Sequence, residues 1–141
     1  MKKKIYLALF TIFLCAVLFA QDNSELSAQA LFNDGKYSAA QAIINKNNSS
    51  YISSAELMYL NAKCSKELFL SDAVLLYDML NEHFPYHEYK EDVNVDLALI
   101  YYREKKYVES ITHFLSLSEL SNEHLFKLAY ANFCIDSLEI A

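Results

Sequence analysis

Histidine and glutamate side chains that could hold a metal ion lie together in the segment Glu82-His83-Phe84-Pro85-Tyr86-His87-Glu88. His83 and His87 are four residues apart, a spacing that places two side chains on one face of a helix and suits a metal ion. Pro85 stands between them, and a proline inside a helix breaks such a face. The segment therefore predicts a solvated linker rather than a metal site.

Cysteine is the other residue type here with reactive chemistry. Cys15 lies in an apolar run near the N-terminus, whereas Cys64 and Cys134 lie in helical patterns two repeat units apart. Neighbouring helices pack about 8–10 Å apart, so helices two units apart hold these sulfurs beyond disulfide reach. We expect buried thiols, with an intermolecular disulfide in an oxidising compartment as the alternative.

The motifs by which many catalytic sites are recognised are missing from the sequence. It contains no Gly-rich phosphate loop, no Gly-x-Ser-x-Gly elbow and no Cys-x-x-Cys pair. We therefore expect a protein that is not an enzyme and that holds neither a cofactor nor a metal.

Residues 1–20 have the pattern of a secretory signal peptide. Three lysines precede an apolar run from Ile5 to Ala20, and polar residues follow. The run is shorter than the ~20 residues that span a bilayer comfortably, but an uncleaved anchor and a buried core helix are alternatives. Leu14 is not the small residue that lipidation of Cys15 would need. Cleavage would release the chain from Gln21 into a periplasm or cell envelope, with no membrane span remaining.

Composition points to a folded, helical and acidic protein. Of the 141 residues, 54% are hydrophobic and 21% charged, and there is one Gly and one Pro, too few for the tight turns of a β protein. The net charge of -6 would become -9 on loss of the three lysines at positions 2–4. This balance opposes binding to nucleic acid or to an anionic membrane surface.

Apolar residues recur at helical spacing in pairs of short segments. In the stretch 96–117, Leu97, Ala98 and Tyr101 form one stripe, the polar residues 103–106 interrupt it, and a second stripe begins at Tyr107. The pattern predicts two antiparallel helices joined by a tight turn. Similar pairs occupy 24–44 and 54–85, and Gly35 stands where the first turn needs a left-handed residue.

The spacing Leu97-Ala98-x-x-Tyr101 followed by Ser110-x-x-x-Phe114 resembles the tetratricopeptide repeat. Ala40-x-x-x-Ile44 and Ala73-x-x-x-Tyr77 match its second half, and the intervals from Ala40 to Ala73 and on to Ser110 are 33 and 37 residues, near the family's period of about 34. The resemblance implies an all-α fold, an α-solenoid of antiparallel helix-turn-helix hairpins. Its repeats would be 21–53, 54–90 and 91–124, followed by a partial repeat or terminal helix at 125–141.

The linker Phe84-Pro85-Tyr86-His87-Glu88-Tyr89 also resembles a Tyr-Pro-x-Ser-x-Tyr linker. That linker occurs in envelope repeat proteins related to outer-membrane assembly lipoproteins and to the coordinator of the Tol-Pal system. His87 stands where their pattern has Ser. The resemblance implies an exported protein of the cell envelope.

In the resembling family, the first helix of each hairpin lines a concave groove that binds peptides or partner proteins. Carried over position by position, this implies contacts from Phe32, Met58, Lys66, Leu99, Tyr102, Arg103, Phe126 and Phe133. An aromatic and aliphatic groove suits a peptide or a partner helix. The alternative is that these side chains pack on the chain's own terminal helix or on further repeats.

Two functions follow from this interpretation. The first is an exported, non-enzymatic scaffold that binds a peptide or partner protein through its groove. The second is a structural subunit of a cell-envelope assembly, of the outer-membrane assembly or Tol-Pal type, held through its terminal helix. The oligomeric state is not predicted.

Overall fold

The computed structural model describes residues 25–46 and 54–139, and these residues form seven helices and no strand. The helices are α1 (25–33), α2 (Tyr37–Lys46), α3 (Ala55–Glu67), α4 (Ala73–His83), α5 (Lys90–Arg103), α6 (Tyr107–Leu115) and α7 (Asn122–Glu139). The all-α class predicted from the composition is confirmed. The predicted signal peptide, 1–20, lies outside the described residues.

The chain divides into two compact units, 1–68 and 69–141, and the boundary falls inside the predicted repeat 54–90. In the first unit α2 packs against α3. In the second unit α5 packs against both α4 and α6, and α6 packs against α7. The second unit therefore carries a continuous series of four helices.

Side chains fix the beginnings of two helices. The hydroxyl of Ser54 accepts a hydrogen bond from the Leu57 amide, 3.3 Å away, and so caps α3. Ser121 caps α7 in the same way, accepting from the His124 amide at 3.2 Å. Each cap satisfies an amide that has no partner within its own helix.

The turns after α1 and α5 close with the same backbone hydrogen bonds. Gly35 and Lys105 have left-handed φ angles of 73° and 60°, and their amides donate to the carbonyls three residues back at 2.9 and 3.1 Å. The next amides, of Lys36 and Lys106, donate five residues back at 2.8 and 2.9 Å. This is the pattern of a Schellman helix end. The left-handed turn predicted at Gly35 is confirmed.

Small buried residues mark the close approach of helices. The Ser110 hydroxyl donates to the Ala98 carbonyl at 2.9 Å, so α6 and α5 come together where neither side chain is large. Four residues after Ser110, Phe114 is fully buried. The same order of a small and then a large buried residue occurs in α2, with Ala40 and Ile44, and in α4.

The core of the second unit includes polar pairs between helices. The Tyr77 hydroxyl of α4 donates to the Asp96 carboxylate of α5 at 2.6 Å, and both residues are buried. On the neighbouring pair of helices, His113 Nδ1 lies 3.0 Å from Asn94 Oδ1, and its ring stacks on Tyr101. Burial lowers the pKa of His113, which favours the neutral imidazole.

A candidate partner-binding surface on the last helix

An exposed aromatic stripe runs along α7. Phe126, Tyr130 and Phe133 follow one another at intervals of four and three residues, which places them on one face of the helix. Their exposed fractions are 69%, 46% and 67%. We call these three residues the α7 stripe. A contiguous group of large exposed apolar side chains is typical of an interaction surface, whereas isolated ones are common on any protein.

Lys127 lies within the length of the stripe in sequence but does not add a free charge to it. Its ammonium lies 5.6 Å from the centroid of the Tyr102 ring and forms an ion pair with Glu123 at 2.9 Å. The side chain of Lys127 is 24% exposed. The stripe therefore presents aromatic surface without an unpaired cation beside it.

Tyr130 packs against aromatic residues of two other helices of the second unit. Its ring contacts Tyr102 of α5 and Tyr107 of α6, with centroid distances of 6.2 and 6.4 Å, and those two rings lie 6.0 Å apart. Hydrogen bonding with the Cys134 thiol raises the pKa of both Tyr107 and Tyr130. Contacts with α5 and α6 thus restrict the position of the Tyr130 ring.

Of the predicted groove residues in the second unit, Phe126 and Phe133 belong to the stripe, and Tyr102 contacts it through Tyr130. Phe126 and Phe133 are exposed, and Leu99 and Tyr102 are partly exposed. Arg103 is exposed, and its guanidinium lies 4.8 Å from the centroid of the Phe69 ring.

The predicted groove residues of the first unit have other surroundings. Phe32 is partly exposed and packs on Tyr37, with ring centroids 5.1 Å apart. Lys66 forms an ion pair with Glu67 at 3.2 Å. Met58 is 0% exposed, so it belongs to the core and has no surface with which to contact a partner. The physical reason is that Met58 shares a face of α3 with the buried Ala62 and Ser65, whereas Tyr59 and Lys63 on the other face are only partly buried.

Tyr130 was absent from the set predicted from the sequence. The signal that would have identified it is the spacing of aromatic residues in the last helix, because residues three and four apart share a helix face. Exposure itself could not be predicted, since the opposite face of α7 carries apolar residues as well, among them the buried Ala131.

A cavity of about 330 Å³ lies in the first unit. Its lining residues are Glu25, Leu26 and Gln29 of α1 and Glu56 of α3. Two carboxylates make its wall acidic, and nothing else in the described residues identifies a ligand for it.

The two histidines considered for a metal site form hydrogen bonds with different residues. His83 donates from Nδ1 to the Met79 carbonyl at 2.9 Å, and His87 Nε2 is hydrogen-bonded to Asn81 Oδ1 at 2.9 Å. Burial lowers the pKa of His87, and the charge of Lys90 adds to the effect. Across 25–46 and 54–139, no group of three or more His, Cys, Asp or Glu side chains could hold a metal ion.

The two cysteines of the described residues differ in exposure. Cys64 is fully buried, as expected, and its thiol pKa is raised to about 11, chiefly by burial and further by the charge of Glu67. Cys134 is only partly buried. Neither forms a disulfide in the described part of the chain.

None of the helices in the described residues is long and apolar enough to cross a membrane. The chain matches no protein-family model, no curated protein and no solved structure.

Proposed function

We propose that the protein is an exported, non-enzymatic scaffold with a solenoid of tetratricopeptide-like hairpins, which binds a peptide or partner protein. Recurrence of the same local features along the chain supports the repeat. Left-handed residues end the first helices at intervals of 34 and 36 residues, and small buried residues stand at matching places within the helices. The positions are Gly35, Phe69 and Lys105 for the turns, Ala28, Ala62 and Ala98 for the first helices, and Ala40, Ala73 and Ser110 for the second helices.

The α7 stripe is the observation that carries the binding function. Burying a Phe side chain that was exposed stabilises a complex by about 1.5–3 kcal/mol. Aromatic anchors on a rigid element carry much of the energy of protein interfaces. Phe126 and Phe133 are exposed enough to act as such anchors. Tyr130 lies between them, and its ring contacts two neighbouring tyrosines.

A partner helix or apolar peptide fits this surface better than a charged ligand. The stripe is aromatic, and the nearest lysine is already paired with Glu123. An amphipathic helix laid along α7 would place its own residues at helical spacing against the stripe. Leu99 and Tyr102, both partly exposed, would extend the contact onto α5.

The test is a pull-down from solubilised envelope of the native cell, using the full chain and a Phe126→Ser/Phe133→Ser variant. A matched control, Leu75→Ser/Val108→Ser, removes two other apolar side chains, which are 60% and 63% exposed on α4 and α6. We expect one partner, identified by mass spectrometry, to be retained by the control and lost by the stripe variant. Equal capture by all three proteins would contradict binding through α7.

Tyr102 is a less suitable residue for this test, although the sequence pointed to it. Its ring packs on Tyr107 and Tyr130, so Tyr102→Ala would remove contacts among three helices. Loss of binding in that variant would not distinguish a lost contact with the partner from altered packing among the three helices. Phe126 and Phe133 are about two-thirds exposed, which makes the stripe variant the cleaner one.

The second candidate is a structural subunit of a cell-envelope assembly held through its terminal helix. The α7 stripe favours it as well, because an obligate interface would cover such a surface permanently. The two functions differ in what mild detergent releases from the native envelope. A stoichiometric complex that survives purification would support a subunit, and a clean monomer would support a scaffold that binds transiently.

Export is part of the proposal and rests on the pattern of residues 1–20. We expect the protein recovered from the cell envelope to begin at Gln21. N-terminal sequencing of that protein tests this, and a chain that still carries its three N-terminal lysines would contradict cleavage.

A further inference from the structure

Phe69 occupies a backbone position that disfavours it. Its φ angle is 57°, in the left-handed region where a Cβ crowds the following carbonyl. Gly35, with φ of 73°, fills the corresponding place in the turn after α1 without that strain. An aromatic residue in this conformation therefore opposes local stability, and it gains no compensation from burial because 72% of it is exposed.

The exposed ring of Phe69 is covered in part by a cation. The Arg103 guanidinium lies 4.8 Å from the ring centroid, close enough for a cation–π interaction. Arg103 is the only arginine in the chain. It forms no ion pair with any residue of 25–46 or 54–139, whereas nearby Lys106 is paired with Glu104 at 2.8 Å.

The residue after Phe69 adds apolar surface. Leu70 is 42% exposed and lies in the same turn. Phe69 and Arg103 together offer an aromatic ring and a planar cation whose N–H donors match the geometry of a carboxylate, and Leu70 adds an exposed aliphatic group at the next position in the chain. Arg103 is exposed in a chain whose net charge is -6, so it is a local positive site on an acidic protein.

We propose that Phe69, Leu70 and Arg103 form a docking surface for a partner segment that presents a carboxylate beside an apolar side chain. The carboxylate would pair with Arg103, and the apolar side chain would pack on Phe69 and Leu70. Charge complementarity selects this occupant, because a basic segment would be repelled by Arg103. This docking surface shares no residue with the α7 stripe. An experiment can therefore contradict this proposal without contradicting the proposed function.

Phe69→Gly offers a test that separates binding from folding. Glycine adopts the left-handed turn without strain, so the variant keeps the backbone and loses only the ring. Lys105→Gly is the matched control, since it relieves the same conformation in the turn after α5 and leaves the docking surface intact. Both variants should melt at or above the temperature of the unaltered chain.

The probe is a random peptide library displayed on phage, selected on the full chain in mild nonionic detergent. We expect enrichment of peptides with Asp or Glu next to a Leu, Ile or Phe. A synthetic peptide of the enriched sequence, followed by fluorescence anisotropy, should lose at least about tenfold in affinity with Phe69→Gly and with Arg103→Gln. Lys105→Gly and Phe126→Ser/Phe133→Ser should change its affinity by less than about twofold.

A double-mutant cycle identifies the carboxylate contact. Replacing the peptide's acidic residue by its amide should weaken binding to the unaltered chain and have little further effect on Arg103→Gln. If the losses of affinity from the amide peptide and from Arg103→Gln are instead additive, the carboxylate does not pair with Arg103. The proposal is also overturned if no peptide is enriched, if the enriched peptides lack acidic residues, or if Phe69→Gly binds them undiminished.

A second copy of the chain is the competing occupant. Sedimentation velocity of the full chain across a range of concentrations distinguishes it. Self-association that disappears in Phe69→Gly would assign the surface to a dimer and overturn the proposal, whereas sedimentation unchanged by Phe69→Gly supports a separate partner.

Discussion

The hydrogen bond between Tyr77 and Asp96 shows how a single polar pair contributes to the second unit. It joins α4 to α5 at 2.6 Å with both residues buried. A buried carboxylate needs hydrogen-bond donors, because its transfer out of water is otherwise costly. The pair therefore restricts how these two helices pack.

Tyr77→Phe should lower the free energy of unfolding by about 1.5–3 kcal/mol, the usual contribution of a hydrogen bond to a charged group. The ring remains, so the loss reports the hydroxyl alone. Urea unfolding followed by far-UV circular dichroism measures it. The control Tyr86→Phe, at a residue that is 99% exposed, should change the free energy by less than about 0.5 kcal/mol. Equal effects from the two variants would show that the buried pair is not stabilising.

Burial of Cys64 makes a prediction about its reactivity. With its pKa raised from 9.0 to about 11, the thiol of the folded protein has about a hundredfold less thiolate at pH 8 than an ordinary thiol. In a Cys15→Ser/Cys134→Ser variant, labelling by a disulfide reagent should therefore be slow until urea unfolds the chain. Cys134 is partly exposed, so the matched Cys15→Ser/Cys64→Ala variant should label faster. Similar native rates in both variants would contradict the burial of Cys64.

The same shift has a consequence for stability against pH. The pKa of Cys64 is higher in the folded state than in the unfolded state, so the folded protein holds the thiol proton more tightly. This contribution is complete below about pH 9 and is lost as the pH rises towards about 11. Cys64→Ala should lack this part of the pH dependence.

At the scale of the helices, the turns determine where each hairpin begins and ends. Gly35 and Lys105 adopt the same left-handed conformation with the same hydrogen bonds, yet only one of them is glycine. A side chain in this conformation costs about 1–2 kcal/mol. The two turns should therefore respond to substitution in opposite directions.

Gly35→Ala should destabilise the protein by about 1 kcal/mol, and Lys105→Gly should stabilise it by about 0.5 kcal/mol after allowance for the flexibility of glycine in the unfolded chain. No atom lies within 4 Å of a Cβ built on Gly35, so the cost there is one of backbone conformation and not of a clash. Thermal unfolding of both variants measures the difference. A stabilising Gly35→Ala would mean that the turn is not left-handed in solution.

The helices could be predicted from the sequence because their apolar spacing and turn residues agree. Ala98 and Ser110 marked the α5–α6 pair, and their contact at 2.9 Å is the close approach that small residues permit. Met58 could not be placed correctly, because the apolar spacing of a first helix does not show whether the face that carries Met58 is packed in the core or lines a groove. The left-handed conformation of Phe69 was not predicted either, since the usual signal for it is glycine.

In the molecule as a whole, the proposed binding function depends on the side chains that remain exposed after the helices have packed. The described residues present an apolar stripe on α7 and an exposed Arg103 beside an exposed Phe69, and the net charge of the chain is negative. These features are the basis on which we propose that the protein recognises other proteins. The metal-like spacing of His83 and His87, in contrast, resolves into two separate hydrogen bonds.

Site-specific photocrosslinking in the native cell tests whether a partner protein binds the α7 stripe. Phe126→p-benzoylphenylalanine and Phe133→p-benzoylphenylalanine place a reactive aromatic group at either end of the α7 stripe, and Leu75→p-benzoylphenylalanine and Val108→p-benzoylphenylalanine place it at sites of similar exposure on α4 and α6. We expect one discrete crosslinked product, with the same partner, from positions 126 and 133 and none from positions 75 and 108. The absence of a product from the stripe, or the same product from all four positions, would contradict binding through α7.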